Sequence, residues 1–148
     1  MDRTPENSEY GSLNHTYHAA LQHGHDEPAD SDLVLGVVRK PMYGIQAHVD
    51  DNCTTLAPPA ELLAEFKERA DEIGHNPAIA DVDYRTRYRA HLTGSEQSEA
   101  IDHICDELRS GRTVWLVCYE NTDEKYCHRL LLVDEIRTRL SRTAETRE

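Results

Sequence analysis

Lysine is nearly absent from this chain of 148 residues, which contains it only at Lys40, Lys67 and Lys125. Arginine makes up the remainder of the 16 basic residues, while aspartate and glutamate together number 28, so the net charge is −12. At about 1 M salt the Debye length is near 3 Å, and the self-repulsion of such an acidic chain is screened. The combination of many carboxylates with little lysine therefore predicts adaptation to high salt.

Long apolar runs and basic runs are also missing, and each absence excludes a class of protein. Without a stretch of about 18 apolar residues, no membrane span is predicted. The first 12 residues are polar and acidic, unlike the apolar core of a secretory signal, so we expect a cytoplasmic protein. Without a basic stripe we expect no extended nucleic-acid surface, although a local pocket for one phosphate stays compatible with the sequence.

Cysteine occurs at only four positions, Cys53, Cys105, Cys118 and Cys127. Cytosolic chains of this size usually keep their thiols reduced. A functional pair of cysteines is then expected to bind a metal or to react as thiols rather than to form a structural disulfide. Cys105 falls on the apolar stripe of a predicted helix, and we expect it in the core.

A single domain is predicted over residues 13–141, between flexible polar tails at 1–12 and 142–148. A chain of this length buries about 70% of its unfolded surface and needs neither disulfides nor a metal in order to fold. The compact apolar runs at 33–39 and 113–119 predict strands that are covered on both faces, as in a parallel sheet. The stretch 15–22 is compatible with a short helix or a strand. We expect either the N-terminal stretch or the segment 45–49 to add to the sheet.

Helical spacing of apolar residues predicts four helices, over 58–74, 81–92, 98–110 and 126–141. Pro58-Pro59 opens the first of them, and Gly74 is its predicted end. Asn76-Pro77 predicts a turn. Strands that alternate with helices predict an α/β fold: a small, mostly parallel sheet with helices on both faces, in a monomer or a homodimer.

The ends of the two predicted strands carry the residues with the strongest functional signal. Open α/β sheets bind ligands beyond the carboxyl ends of their strands. Arg39 ends the first predicted strand, and Cys118 and Glu120 lie at the end of the last one. If the strands are parallel, these three residues lie at one edge of the sheet.

Cys127, His128 and Arg129 stand at the predicted start of the final helix. A helix N-terminus attracts anions and stabilises a thiolate. We therefore predict an enzyme-like pocket in which Cys127 or Cys118 is a thiolate or redox thiol and Glu120 or His128 is the acid or base. Arg39 and Arg129 would bind a small phosphate- or sulfate-bearing molecule or a nucleotide.

Two other interpretations use the same residues. Cys118, Cys127 and His128 are acceptable zinc ligands by type, which would make the chain a metal-binding structural or regulatory module. Alternatively, the edge only stabilises the fold, and the chain is a non-catalytic scaffold. Histidines also cluster near the N-terminus and could bind a metal weakly, but a solvated segment is the more ordinary interpretation; they are His15, His18, His23 and His25. The same holds for His48, Asp50 and Asp51 near Cys53.

Two motifs resemble a known family. The segment Trp115-Leu-Val-Cys-Tyr-Glu120 followed by Cys127-His128-Arg129 resembles the Cys-x-Glu and Cys-His-Arg signature of Domain of Unknown Function family 488. Val38-Arg39-Lys40-Pro41 is similar to the early Val-Arg-x-Pro of that family, and Leu56-Ala-Pro-Pro59 is similar to its salt-loving archaeal branch. The resemblance spans residues 33 to 140. It implies an α/β fold and an enzyme-like pocket built from the predicted site residues, and it implies no particular substrate or cofactor.

Overall fold

A four-stranded parallel sheet forms the centre of the computed structural model, which describes residues 11–39, 44–119 and 127–147. The strands are β1 (Leu13–Tyr17), β2 (Leu33–Gly36), β3 (Asp51–Asn52) and β4 (Val114–Cys118), in the order β1-β4-β2-β3. Every neighbouring pair is parallel. The predicted parallel sheet is confirmed, and the two apolar runs that predicted it are its two central strands.

The N-terminal stretch adds the edge strand β1, which was one of the two predicted options. Leu13 to Tyr17 pair in register with Val114 to Cys118. The other option, a strand at 45–49, was wrong. Gly44 there adopts the left-handed conformation, with a φ of 78°, and starts a short 3-10 turn at Ile45–Ala47. The chain becomes extended only afterwards, at Asp51–Asn52, where it pairs with β2.

The described part of the chain contains six α-helices around the sheet: α1 (His18–Gln22), α2 (Ala60–Ile73), α3 (His75–Asp81), α4 (Tyr84–His91), α5 (Ser95–Arg109) and α6 (Arg129–Arg147). Helices were correctly predicted at α2 and α5. The last helix begins three residues later than predicted and extends past residue 141.

The predicted helix over 81–92 and the predicted turn at Asn76-Pro77 were both wrong in detail. Asp83 adopts a left-handed φ of 56° and separates α3 from α4. Pro77 lies within the first turn of α3. Backbone N–H groups in that turn have no partner within the helix, so a proline there costs no helical hydrogen bond. The chain therefore makes its sharp turn at Asp83 instead of at Asn76-Pro77.

Helices cover the two faces of the sheet unequally. Val114 and Leu116 of β4 face a large core that helices α2 to α6 complete, with Phe66, Tyr88 and Ile104 among its members. Alternate residues of the strands face the other way, and Val34, Val117 and Ile45 form a smaller cluster against which Leu21 of α1 packs. Burial of each large apolar side chain contributes roughly 1.5–3 kcal/mol, so the large core dominates the stability of the fold.

The side chain of Asn52 extends the sheet beyond the end of β2. Its amide nitrogen donates to the Val38 carbonyl at 2.8 Å, and its side-chain oxygen accepts from the Val38 amide at 3.2 Å. Gly36 permits this approach, because a Cβ there would lie 2.5 Å from the Asn52 side-chain oxygen. The tether fixes the backbone directly before Arg39.

Within the described ranges of the chain, no helix has the length and the apolar character that a membrane crossing requires.

Candidate active site

The carboxyl edge of the sheet brings together the residues that the sequence singled out. Strand β4 ends at Cys118, and Cys127 lies two residues before helix α6. These two cysteines and Val38 form a buried cluster, in which the cysteines are 1% and 4% exposed. The prediction that these chain segments meet at one edge is confirmed for the described residues. Glu120, the other predicted acid or base, lies outside them.

Cys127 and His128 form a thiol–imidazole pair whose proton arrangement is set by the backbone. The Cys127 Sγ lies 3.6 Å from Nδ1 of His128, and Nε2 of the same ring lies 2.7 Å from the Val37 carbonyl oxygen. A carbonyl oxygen only accepts hydrogen bonds, so Nε2 must carry a proton. In a neutral ring the lone pair is then on Nδ1, which faces the thiol. His128 is therefore placed to accept the proton of Cys127.

The imidazole of His128 is held in this orientation by packing. The ring of Tyr88 lies edge-on to it, with 5.4 Å between the ring centroids. The Tyr88 hydroxyl donates to the Leu56 carbonyl at 2.6 Å, and burial raises the pKa of this phenol well above its usual value. Tyr88 consequently remains a hydrogen-bond donor. Its ring is held by the backbone at one end and by the hydrogen bond of its hydroxyl at the other.

Arg129 lies behind the cysteines and is itself buried, with 2% exposure. Its Nη1 donates to the Cys118 Sγ at 2.7 Å, and its Nε donates to Nδ1 of His15 at 3.0 Å. The register pairs Tyr17 with Cys118, and His15 lies two residues before Tyr17 on the same strand. Residues two apart in a strand share a face, so His15 and Cys118 lie on the same face of the sheet. Arg129 therefore connects strand β1 to the thiol at the end of β4. Its predicted role as a direct ligand of an anion stays a prediction, and the cleft described below is lined by other residues.

The two cysteines differ in their electrostatic surroundings. Burial raises the pKa of Cys118 well above its usual value, and the hydrogen bond with Cys127 acts in the same direction. His128 and Arg129 lower the pKa of Cys118, but their effect is smaller than that of burial. Cys118 is therefore held as a neutral thiol. Cys127 has the adjacent imidazole and the following helix terminus.

A cleft of about 540 Å³ opens over the cysteine pair. Cys118, Cys127 and His128 line it on one side. Helices α2 to α4 supply a mostly apolar wall that includes Leu63, Phe66, Ile79 and Tyr84. Besides His128, its basic lining residues are Arg39, Lys67 and His75. No aspartate or glutamate lines it among the described residues, although the chain has a net charge of −12.

The guanidinium of Arg39, which lines this cleft, is held by the backbone. The Nε donates to the Pro58 carbonyl at 2.9 Å. Among the described residues this guanidinium makes no other hydrogen bond. The position agrees with the predicted role of Arg39 as an anion-binding residue.

The histidines and the predicted metal ligands do not assemble into a metal site in the described part of the chain. No group of three or more His, Cys, Asp or Glu side chains there could hold an ion. Of the N-terminal histidines, His15 binds Arg129, and His18 is buried with its ring centroid 5.4 Å from that of His48. The sequence alone does not indicate this role of His15, because only the pairing of β1 with β4 places it beside Arg129.

One family model matches most of the chain. The model of DUF488-N3a, the active DUF488-N3 subclade, matches residues 19–140. The chain belongs to this family. No match was found among curated proteins or among solved structures.

The DUF488-N3a match extends over Arg39, both site cysteines, His128 and Arg129. The resemblance that the two sequence motifs indicated is therefore confirmed at the level of the family. His15 precedes the matched range, so this chain supplies the partner of Arg129 from outside the part that the family model describes.

Proposed function

We propose that this DUF488-N3a chain is a thiol-dependent enzyme, in which Cys127 is the nucleophile and His128 is its base. The observation that carries the proposal is the set of contacts that links the Cys127 thiol, the His128 imidazole and the Val37 carbonyl. A nucleophile beside a base that a third group orients is the arrangement of many enzymes with covalent intermediates. The description of the subclade as active agrees with it.

Two groups that can stabilise a thiolate lie next to Cys127. The His128 carbonyl accepts a helical hydrogen bond from the Leu132 amide at 3.0 Å, so His128 caps the N-terminus of α6. Cys127 directly precedes this cap. The partial positive charge of a helix N-terminus stabilises a thiolate, and a nearby imidazole that takes the proton stabilises it further. Both effects act on Cys127.

The charge of the cleft indicates an anionic substrate. Arg39 and Lys67 stand at its rim without a carboxylate among the described lining residues. Arginine binds phosphate, sulfate and carboxylate groups through two parallel hydrogen bonds. Phe66 and Tyr84 belong to an apolar wall, which suits the less polar part of such a molecule. The volume of about 540 Å³ lies in the range of small-ligand sites. A phosphate- or sulfate-bearing small molecule or a nucleotide fits these features.

The reaction would begin with transfer of the Cys127 proton to Nδ1 of His128. The sulfur then forms a bond to an electrophilic atom of the substrate, and the bond from that atom to its leaving group breaks. His128 returns the proton to the leaving group. Arg39 would hold the anionic group of the substrate during both steps, which keeps the electrophilic atom above the sulfur.

Alkylation with two reagents of different charge tests this proposal. Iodoacetate is an anion and iodoacetamide is neutral, and both report thiolate reactivity. We expect Cys127 to react faster than Cys53 with either reagent, as measured by mass spectrometry of its peptides over time. We expect the ratio of the iodoacetate rate to the iodoacetamide rate to be higher at Cys127 than for a free thiol, because Arg39 and Lys67 attract the carboxylate.

Matched arginine variants separate the cleft from general surface charge. Arg39→Gln should lower the iodoacetate rate at Cys127 roughly fivefold, the equivalent of about 1 kcal/mol, and leave the iodoacetamide rate unchanged. Arg89→Gln removes the same charge from an exposed position outside the cleft lining and should change neither rate. If Cys127 reacts no faster than the thiols of the unfolded chain, the assignment of Cys127 as the nucleophile is refuted. The zinc-module and scaffold interpretations predict no preference for the anionic reagent.

Salt adaptation and a cytoplasmic location belong to the same proposal. The salt adaptation is supported by the net charge of −12 and by the presence of only three lysines. At 1 M salt, charges further apart than about 3 Å are screened from each other. The long-range attraction between the positive charge of the cleft and an anionic ligand is therefore weak. Close contacts such as those of Arg39 then determine binding.

A further inference from the structure

We infer that Cys118 is the resolving thiol of Cys127, so that the pair exchanges with a small disulfide and passes through an intramolecular Cys118–Cys127 disulfide. This inference rests on the proposed function, since it assumes that Cys127 is the nucleophile. It adds a substrate class, a disulfide or mixed disulfide of a small anionic thiol, and a chemical role for the second cysteine.

The first observation is the direct contact of the two thiols. Cys118 and Cys127 pack together with Val38 in a buried cluster and are hydrogen-bonded to each other. The other two cysteines lie elsewhere. Cys105 is in the large core, with its Sγ directed at the Ile136 carbonyl at 3.9 Å, and Cys53 packs against the large core as well. The pair in the cleft therefore already has the direct contact of thiols that a disulfide bond requires.

The second observation is that the two thiols are unequal in a way that orders the steps. Both thiols line the cleft, but Cys127 is the one with the base His128 at 3.6 Å. Cys118 is the more deeply buried of the two and is held as a neutral thiol, with its pKa raised by burial and then by Cys127. Attack on an incoming disulfide must consequently begin at Cys127, while Cys118 waits in the protonated form.

The third observation is the position of Arg129, which changes the state of Cys118 once Cys127 has reacted. A Cys127 that carries a thiol group of the substrate is no longer an anion, so one of the effects that disfavour the Cys118 thiolate disappears. The Nη1 of Arg129, at 2.7 Å from the Cys118 Sγ, remains and stabilises the thiolate. Arg129 is thus a positioning and activating residue for the second thiol, which explains why its charge is buried behind the cleft instead of facing a ligand.

The exchange is balanced in atoms and electrons. The Cys127 thiolate attacks one sulfur of the small disulfide, the disulfide bond breaks, and the first small thiolate leaves with the proton that His128 had accepted from Cys127. Cys118 then loses its proton and attacks the Cys127 Sγ, which expels the second thiol with that proton. The protein dithiol is oxidised to a disulfide, and one small disulfide is reduced to two thiols. The reverse sequence regenerates the dithiol.

Oxidised glutathione, a small anionic disulfide, is a suitable probe. We would incubate it with the full chain carrying Cys53→Ser, so that Cys105 is the only other cysteine, and analyse the products by peptide mass spectrometry without reduction. We expect a Cys118–Cys127 cross-link and two released glutathione thiols per chain. In Cys118→Ser or Cys118→Ala the cross-link should be lost, and one glutathione should remain attached to Cys127. In Cys127→Ser neither product should form, because Cys118 is 1% exposed.

The outcomes distinguish this inference from the proposed function. If Cys127 is selectively alkylated but the mixed disulfide with glutathione also persists in the chain that retains Cys118, the resolving role of Cys118 is overturned and the nucleophile stands. If Cys127 is alkylated no faster than Cys53, both fail. Urea unfolding of each variant serves as the folding control, and the use of two substitutions at Cys118 means that the result does not depend on either one folding well. A cross-link that involves Cys105 would also overturn the inference.

Discussion

Arg129 donates its Nε–H to Nδ1 of His15, a residue 114 positions earlier in the chain, across 3.0 Å. Because Nδ1 accepts this hydrogen bond, the His15 imidazole is neutral, with its proton on Nε2. The same guanidinium donates to Cys118. One side chain therefore connects the edge strand β1 with the end of the central strand β4, and the state of His15 affects the surroundings of the second thiol.

Replacement of His15 tests this connection. We expect His15→Ala to lower the free energy of unfolding by about 1–2 kcal/mol, because a hydrogen bond to a charged group is lost and the buried Arg129 keeps its desolvation cost. Urea unfolding measures the change. His25→Ala removes a histidine that is exposed and should stay within about 0.5 kcal/mol of the parent chain. Equal effects of the two substitutions would contradict the role of His15.

Acid should destabilise the fold in a window that His15 defines. Burial lowers the pKa of His15, and Arg129 and Arg137 lower it further, against an opposing effect of Asp26. The unfolded chain then binds more protons than the folded one below about pH 6.5. The contribution of His15 to the free energy of unfolding is complete above that pH. It is lost as the pH falls through the pKa of His15 in the folded chain. We expect urea midpoints to fall below pH 6.5, with a shallower decline in His15→Ala.

Alkali should destabilise the fold for the opposite reason. Burial raises the pKa of Cys118 and of Tyr88, so both groups stay protonated in the folded chain when they ionise in the unfolded one. The stability is complete below the unfolded cysteine pKa of about 8.5 and is lost as the pH rises above it. We expect midpoints to fall beyond about pH 8.5 and to fall less in Cys118→Ala. A constant midpoint up to pH 10 would argue against a neutral Cys118.

Tyr88→Phe separates stability from reactivity. The substitution removes the hydroxyl that donates to the Leu56 carbonyl at 2.6 Å but keeps the ring beside His128. We expect a loss of about 1–3 kcal/mol, since the carbonyl is left buried without its donor. The iodoacetamide rate at Cys127 should be unchanged, because the orientation of His128 depends on the ring and on Val37. A large drop in that rate would show that the hydroxyl itself matters for the site.

High salt should stabilise the chain. A net charge of −12 on 148 residues produces self-repulsion that ions screen. We expect the urea midpoint to rise from low to molar potassium chloride and the increase to exceed that produced by sucrose at the same osmolality. Urea is uncharged and does not itself screen. A midpoint that is the same at low and molar salt would contradict the interpretation of the composition as salt adaptation.

The parts of the site that the sequence predicted are those fixed by strand and helix ends. The apolar runs before Arg39 and Cys118 determine where two parallel strands end, and the apolar spacing after Arg129 determines where a helix begins. Parallel strands then place these residues at one edge without further information. The family signature of Cys118, Cys127 and His128 identified the same edge.

The parts that were not predictable depend on pairing and on single backbone angles. The pattern of 15–22 suits a strand or a helix, so nothing in it shows that His15 lies beside Arg129. The left-handed conformation of Asp83, a residue without the usual glycine signal, divides one predicted helix into two and shapes the wall of the cleft. The inward direction of Arg129 could not be predicted either, because arginine is ordinarily exposed.

The reacting sulfurs and the wall of the cleft belong to separate parts of the chain. Cys118 and Cys127 are attached to β4 and to the start of α6, whereas the opposing wall comes from α2, α3 and α4, which Arg69 and Arg87 tie together through Asp81 and Glu65. In the proposed enzyme, substitutions in this wall of residues 60–84 would alter which small molecule is accepted while the sulfur chemistry stays intact.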